Sequence, residues 1–150
     1  MRKIGFLIGL LAGLLGTSAL ADAPGPQPPP GPPQPQMVLH NGSLMQVISK
    51  GANLIDIRYV QPRPDLFPYA QPGTLLIRGQ WGSDGLNATA FTISRCGQMP
   101  YPMHGSLDPA GNLIIQGMAP LLDFWSCRFL AWIWSPTNSY LVFQPILPQR

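Results

Sequence analysis

From Leu54 to Val60 the chain alternates apolar and polar residues, with Ile55, Ile57 and Tyr59 on one side and Asp56 and Arg58 on the other. That period-2 pattern is the signature of a half-buried β-strand. Similar runs recur along the chain. Met37–His40 and Ser43–Ile48 flank Asn41-Gly42, a dipeptide that favours a tight hairpin turn. Thr74–Gly79, with Gln80-Trp81 as an extension, forms the next strand, and Ala88–Ser94 alternates with Phe91 and Ile93 inward. Tyr101–His104 reads as a short edge piece, because two prolines limit its ladder bonding. Leu113–Met118 follows and is ended by Ala119-Pro120, after which Leu121–Ser126 crosses to Cys127. The last pair is Arg128–Trp134 with Tyr140–Phe143. Turn-forming Gly, Asn, Asp and Pro separate these runs, so the pattern predicts an all-β domain: a single small antiparallel sandwich or barrel of about seven to eight strands.

Two segments break the alternation. Residues 1–21 have a charged start (Arg2-Lys3), an apolar run from Ile4 to Leu15 and the small-residue pattern Ala19-Leu20-Ala21, which together describe a secretory signal peptide. Cleavage after Ala21 or after Ala23 fits equally. The run is shorter than the ~20 residues of a membrane span, so no membrane insertion is expected after cleavage. Residues 22–36 form a proline-rich linker, PGPQPPPGPPQPQ from Pro24, expected to extend as a polyproline II stalk of roughly 40 Å. The β-domain then spans 37–150. The predicted location is periplasmic or secreted.

Composition narrows the function. The net charge of +3 includes Arg2 and Lys3 of the signal, leaving about +1 for the rest. The remaining cations are scattered singly, which excludes a nucleic-acid footprint. The chain contains no Glu, in keeping with little exposed helix. Its two cysteines, Cys96 and Cys127, lie too far apart for a C-x-x-C redox pair, and only His40 and His104 are available to complete a zinc site. They are read as a structural disulfide joining the middle of the chain to its last third, worth roughly 3–4 kcal/mol. No cofactor or metal site is expected.

No catalytic motif is present. His40 near Ser43 lacks triad spacing, and Asp56, Asp84, Asp108 and Asp123 fit solvated strand faces and turns. Aromatic surface is the stronger lead. Trp132, Trp134 and Tyr140 belong to the last strand pair, where Phe129 and Ile133 take the other face, so at least one of the two tryptophans should be exposed. The long connection Gln61–Gly73 offers Phe67 and Tyr69, either as a flap over the core or as a binding loop.

Several segments resemble small exported proteins of unknown function from rhizobia and related bacteria. These are His40–Met45, Tyr59–Pro64, Gly73–Leu76 with Gly79, Cys96–Gln98 with Pro100–Pro102, and Gly117–Pro120 before Cys127. The resemblance implies a bacterial envelope setting and supports the disulfide; it carries no activity. The expected function is a non-enzymatic binding or interaction module for an unknown protein or glycan ligand. A protein inhibitor of a protease or lysozyme, and a hydrolase with an unrecognised site at His40 or His104, are the alternatives.

Overall fold

The computed structural model describes residues 36–146. The signal peptide and all of the linker except Gln36 lie outside the described residues. Ten strands follow in order: β1 Gln36–His40, β2 Ser43–Ser49, β3 Leu54–Gln61, β4 Leu75–Gly82, β5 Gly85–Phe91, β6 Pro100–Leu107, β7 Leu113–Gln116, β8 Ala119–Leu122, β9 Phe129–Ile133 and β10 Tyr140–Pro145. Eight of them close into an antiparallel barrel in the order β1-β10-β7-β6-β5-β4-β3-β2, while β8 and β9 form a separate two-stranded sheet. Closure removes the exposed edges that an open sheet would present.

The up-and-down order sorts the connections to two ends. At one, the turn end, lie the short links 50–53, 83–84 and 108–112, together with Gln36 and Ile146. The opposite, loop end carries the Asn41-Gly42 turn, the 62–74 loop, the 92–99 loop and the whole 117–139 insertion. Asn41 and Gly42 both take positive φ, 45° and 76°, as a two-residue hairpin turn with the correct twist requires.

The inward positions are those of the alternating pattern. Ile55, Ile57 and Tyr59 of β3 join Val38, Met45, Ile77, Leu86, Ile115, Leu141 and Phe143 in one core. Gly105 is buried among them, and a Cβ there would stand 3.1 Å from Ile115 Cγ1 and 3.2 Å from Leu86 Cβ. Its missing side chain leaves room for those two side chains, which flank it on the neighbouring strands β5 and β7.

Five expectations need correction. In β5 the inward residues include Leu86 and Ala90, while Phe91 is only half-buried; the small Ala90 fits where Ile77 and Tyr101 stand opposite. Strand β6 is eight residues long rather than a short edge piece. The prolines are tolerated because the β7 ladder starts only at His104, leaving the stretch with Pro100 and Pro102 paired on one side. Ala119-Pro120 opens a strand instead of ending one. Strand β9 pairs with β8, whereas β10 pairs with β7 and β1. Asp56 faces outward but is 1% exposed. Arg78 of β4 grips it through two bonds of 2.8 and 3.0 Å, and Arg58 adds one of 2.8 Å. The guanidiniums cover the carboxylate and hold its pKa down to about 2.

Candidate functional site

The 117–139 insertion leaves the barrel after β7 and returns at β10. Its neck is closed by the Gly117 N–H donating to Ser139 O at 3.0 Å. Ser139, fully buried, accepts from the Ser135 N–H at 2.9 Å and donates to Ile133 O at 3.2 Å. Ala119, at the start of β8, packs in the barrel core. The distal turn is organised by Asp123, which accepts the Ser126 N–H and hydroxyl, both at 2.6 Å. Those bonds lower the Asp123 pKa, the hydroxyl contributing most.

The distal turn is then tied back. Cys127 forms the disulfide with Cys96 of the 92–99 loop, as the sequence predicted. Arg95 reinforces it, donating to Phe124 O and, at 3.4 Å, to Trp125 O, with its guanidinium carbon 5.2 Å from the Phe124 ring centre. The hairpin is therefore held at both ends, at its neck by bonds within the insertion and the packing of Ala119 in the core, and at its tip by the 92–99 loop.

Between those anchors the hairpin is apolar and open. Trp132 is 49% and Trp134 55% exposed, and Trp125 in the tip reaches 81%. Leu121, Phe129, Leu130 and Phe124 are exposed as well. Phe129 was expected on the face opposite Trp132, yet the two rings pack with centroids 5.1 Å apart. A register shift between Leu121 and Leu122 places Leu121 opposite Ala131 and Leu122 opposite Phe129, so Leu130 is the extra residue of a bulge. The bulge reverses the alternation and brings Phe129 to the Trp132 face. Among the described residues β8 and β9 pair only with each other, so both strands keep an unpaired edge.

The Gln61–Gly73 loop adds a second exposed surface. Its backbone is pinned by Gly73 N–H to Tyr59 O (2.7 Å), Tyr69 N–H to Leu66 O (2.8 Å) and the Arg58 guanidinium to Gly73 O (2.9 Å). Leu66 and Ala70 pack on the core, while Phe67 is 73% exposed and Tyr69 is also exposed. The aromatic rings are thus not the cover of the core; the aliphatic residues beside them are. Tyr69 and Leu66 face Leu122, Phe124 and Ile93 across a groove of about 380 Å³, which brings loop and hairpin together. Tyr140, on the outer side of β10 opposite Gln116, is partly exposed.

Sequence reasoning selected Trp132, Trp134, Tyr140, Phe67 and Tyr69 but missed Phe124, Leu121, Leu130 and Arg95. The signal for the first three was present: apolar residues on both sides of Cys127 with too few polar positions for a half-buried strand. The role of Arg95 depends on the disulfide bringing it beside the tip.

The two histidines differ. His104 is exposed, its Nε2 3.1 Å from Asp84 O. His40 is buried, stacks on Phe143 at 4.6 Å and donates from Nδ1 to Val142 O at 2.9 Å. Burial lowers its pKa, and Arg63 lowers it further against the opposing Val142 bond. Ser43 Oγ accepts the Arg63 backbone N–H at 3.0 Å. Among the described residues no cluster of three His, Cys, Asp or Glu side chains is disposed to hold a metal ion, and no helix is long and apolar enough to cross a membrane. Neither family models nor curated proteins nor solved structures matched the chain.

Proposed function

We propose that the protein is an exported, non-enzymatic binding module of the bacterial envelope that docks a protein partner through the β8–β9 hairpin. One observation carries the reading: a hairpin outside the barrel, fixed at neck and tip, exposes Trp125, Trp132, Trp134, Phe129, Leu121 and Leu130. Fixing such a surface limits the ordering cost of binding, and contiguous exposed apolar residues of this extent mark interaction sites. Leucines among the rings favour a protein over a glycan, since sugar faces stack on bare aromatic planes and need polar neighbours for their hydroxyls. The open strand edges add a place for a partner strand to pair. Export is supported by the signal-like N-terminus and by the disulfide, which persists in oxidising compartments. The resemblance to rhizobial exported proteins agrees with that setting.

The test places a photo-crosslinking residue at Trp134 and, separately, at exposed Lys50 of the turn end. A discrete protein adduct from position 134 alone, lost when Trp132→Ala is added to a chain that folds normally, is the expected result. Equal adducts from both positions, or none from 134, would sink the assignment; hairpin-dependent binding to purified envelope polysaccharide would move the partner to a glycan.

A second reading, a protein inhibitor of a protease or lysozyme, is favoured by Phe67, which projects from a loop pinned at both ends. It predicts stoichiometric inhibition of a hydrolase that disappears with Phe67→Ala and survives Trp132→Ala.

A further inference from the structure

The loop end also contains a cavity of about 230 Å³, separate from the aromatic hairpin surface, at the mouth of the barrel. His40, Ser43, Tyr59, Arg63 and Tyr101 line it from four strands and the 62–74 loop, over an apolar floor that includes Leu141. No Asp or Glu lines it.

Its polar groups are left with spare capacity. The Tyr59 hydroxyl makes no hydrogen bond among the described residues and opens onto the cavity. Arg63 Nε is shielded from solvent and makes no hydrogen bond among the described residues. Asp65 Oδ1 stands 3.0 Å away, but out of line for the N–H to donate. The remaining guanidinium contact is Nη1 to Asn41 O, a long 3.3 Å. Ser43 Oγ accepts from the Arg63 backbone, which leaves its own hydrogen free to donate. Burial pushes both Tyr59 and Tyr101 up to about 12, so both phenols stay protonated donors at physiological pH. Tyr101 spends its hydrogen on Asn138 O at 3.0 Å.

A cation whose one carboxylate neighbour, Asp65, is exposed and outside the lining, with two hydroxyl donors above an apolar floor, describes a complementary surface for a small organic anion. We infer that this barrel mouth binds a small carboxylic acid, its carboxylate held by Arg63, Tyr59 and Ser43 and its short apolar body lying toward Leu141. The planar fork of arginine suits a carboxylate. The volume, below the usual 300–1,000 Å³ of drug-sized sites, limits the ligand to on the order of ten non-hydrogen atoms. This inference does not depend on the hairpin, and a hairpin without a partner would leave it standing.

Phenylacetate and its neutral counterpart phenylacetamide, titrated into isotopically labelled oxidised protein and followed by NMR, provide the test. Saturable shifts at Tyr59 and Leu141 with phenylacetate, at least tenfold weaker with phenylacetamide, are expected. Arg63→Gln should remove that discrimination, and Tyr59→Phe, which keeps the ring and therefore the packing, should weaken phenylacetate binding about fivefold. A tetrapeptide ending in phenylalanine separates two sources of the same chemistry: tighter binding than phenylacetate assigns the carboxylate to a chain terminus, weaker binding to a free acid. Equal response to acid and amide, no saturable shift at these residues, or unchanged affinity in Tyr59→Phe would overturn the inference.

Discussion

The two ends of the barrel are built to opposite plans. At the turn end the connections are as short as Ser83-Asp84, and the cavity there, about 260 Å³, is walled largely by apolar side chains such as Val38, Ile55, Trp81 and Phe143. At the loop end every connection but the Asn41-Gly42 turn is long, both cysteines, the arginines Arg63 and Arg95 and the exposed rings gather, and the cavity is lined by hydrogen-bonding groups. The contrast separates where stability is housed from where binding is proposed. A closed barrel with tight turns holds itself together, so its opposite rim can carry apolar and polar groups unsatisfied by the fold.

The largest test of that division is Phe143→Ala. This ring is fully buried, so its removal should cost about 3–5 kcal/mol in denaturant unfolding; a loss under 1 kcal/mol would mean that the core does not rest on it. Next comes Cys96→Ser with Cys127→Ser, expected to cost roughly 3 kcal/mol. Hydrogen exchange should then rise across 119–133 while the β2–β5 ladders stay protected; uniform loss of protection would join hairpin and barrel into one unit. Asp56→Asn should cost about 1–2 kcal/mol at pH 7, less than for a sealed ion pair because Arg78 is itself well exposed.

Asp56 also sets an acid signature. Its folded pKa of about 2 lies below the ordinary 3.8, so the unfolded chain takes up the proton first. Its contribution is complete above about pH 4 and is lost as pH falls through 2. A wild-type slope in that window that Asp56→Asn flattens is the expected result. His40 acts in a higher window with the same sign: its folded pKa lies below 6.5, so stability should decline on acidification below that value. His40→Gln should remove the decline; an unchanged slope would assign it to another group. The smallest effect is predicted for Trp132→Ala with Trp134→Ala. These half-exposed rings should change stability by under about 1 kcal/mol, against the large loss at Phe143. A loss comparable to Phe143→Ala would make the hairpin part of the core.

Much of the barrel was legible because its strands obey a local rule. Ile55, Ile57 and Tyr59 point inward as their spacing says, and Asn41-Gly42 turns as its backbone preferences say. The hairpin was less legible. Pro120 argued against a strand, but β8 has an open side where a missing N–H costs nothing. The pairing of β9 with β8 rather than β10 depends on chain closure elsewhere, since β10 is occupied by β7 and β1. Asp56 looked solvated because its partner Arg78 lies 22 residues away. The mouth cavity had no linear signature at all: Tyr59, Arg63, Tyr101 and His40 converge only when the sheet curls shut.

Gln36 and Ile146 both lie at the turn end, Ile146 N–H bonding to Met37 O at 3.0 Å. Anything covalently joined to either margin of the domain, whether a sensor-chip tether, a purification tag or a fused reporter, therefore meets the molecule on the side away from the hairpin and the mouth. The domain can be immobilised or displayed through either terminus with its loop end presented outward, and two copies joined in tandem would each keep that rim accessible.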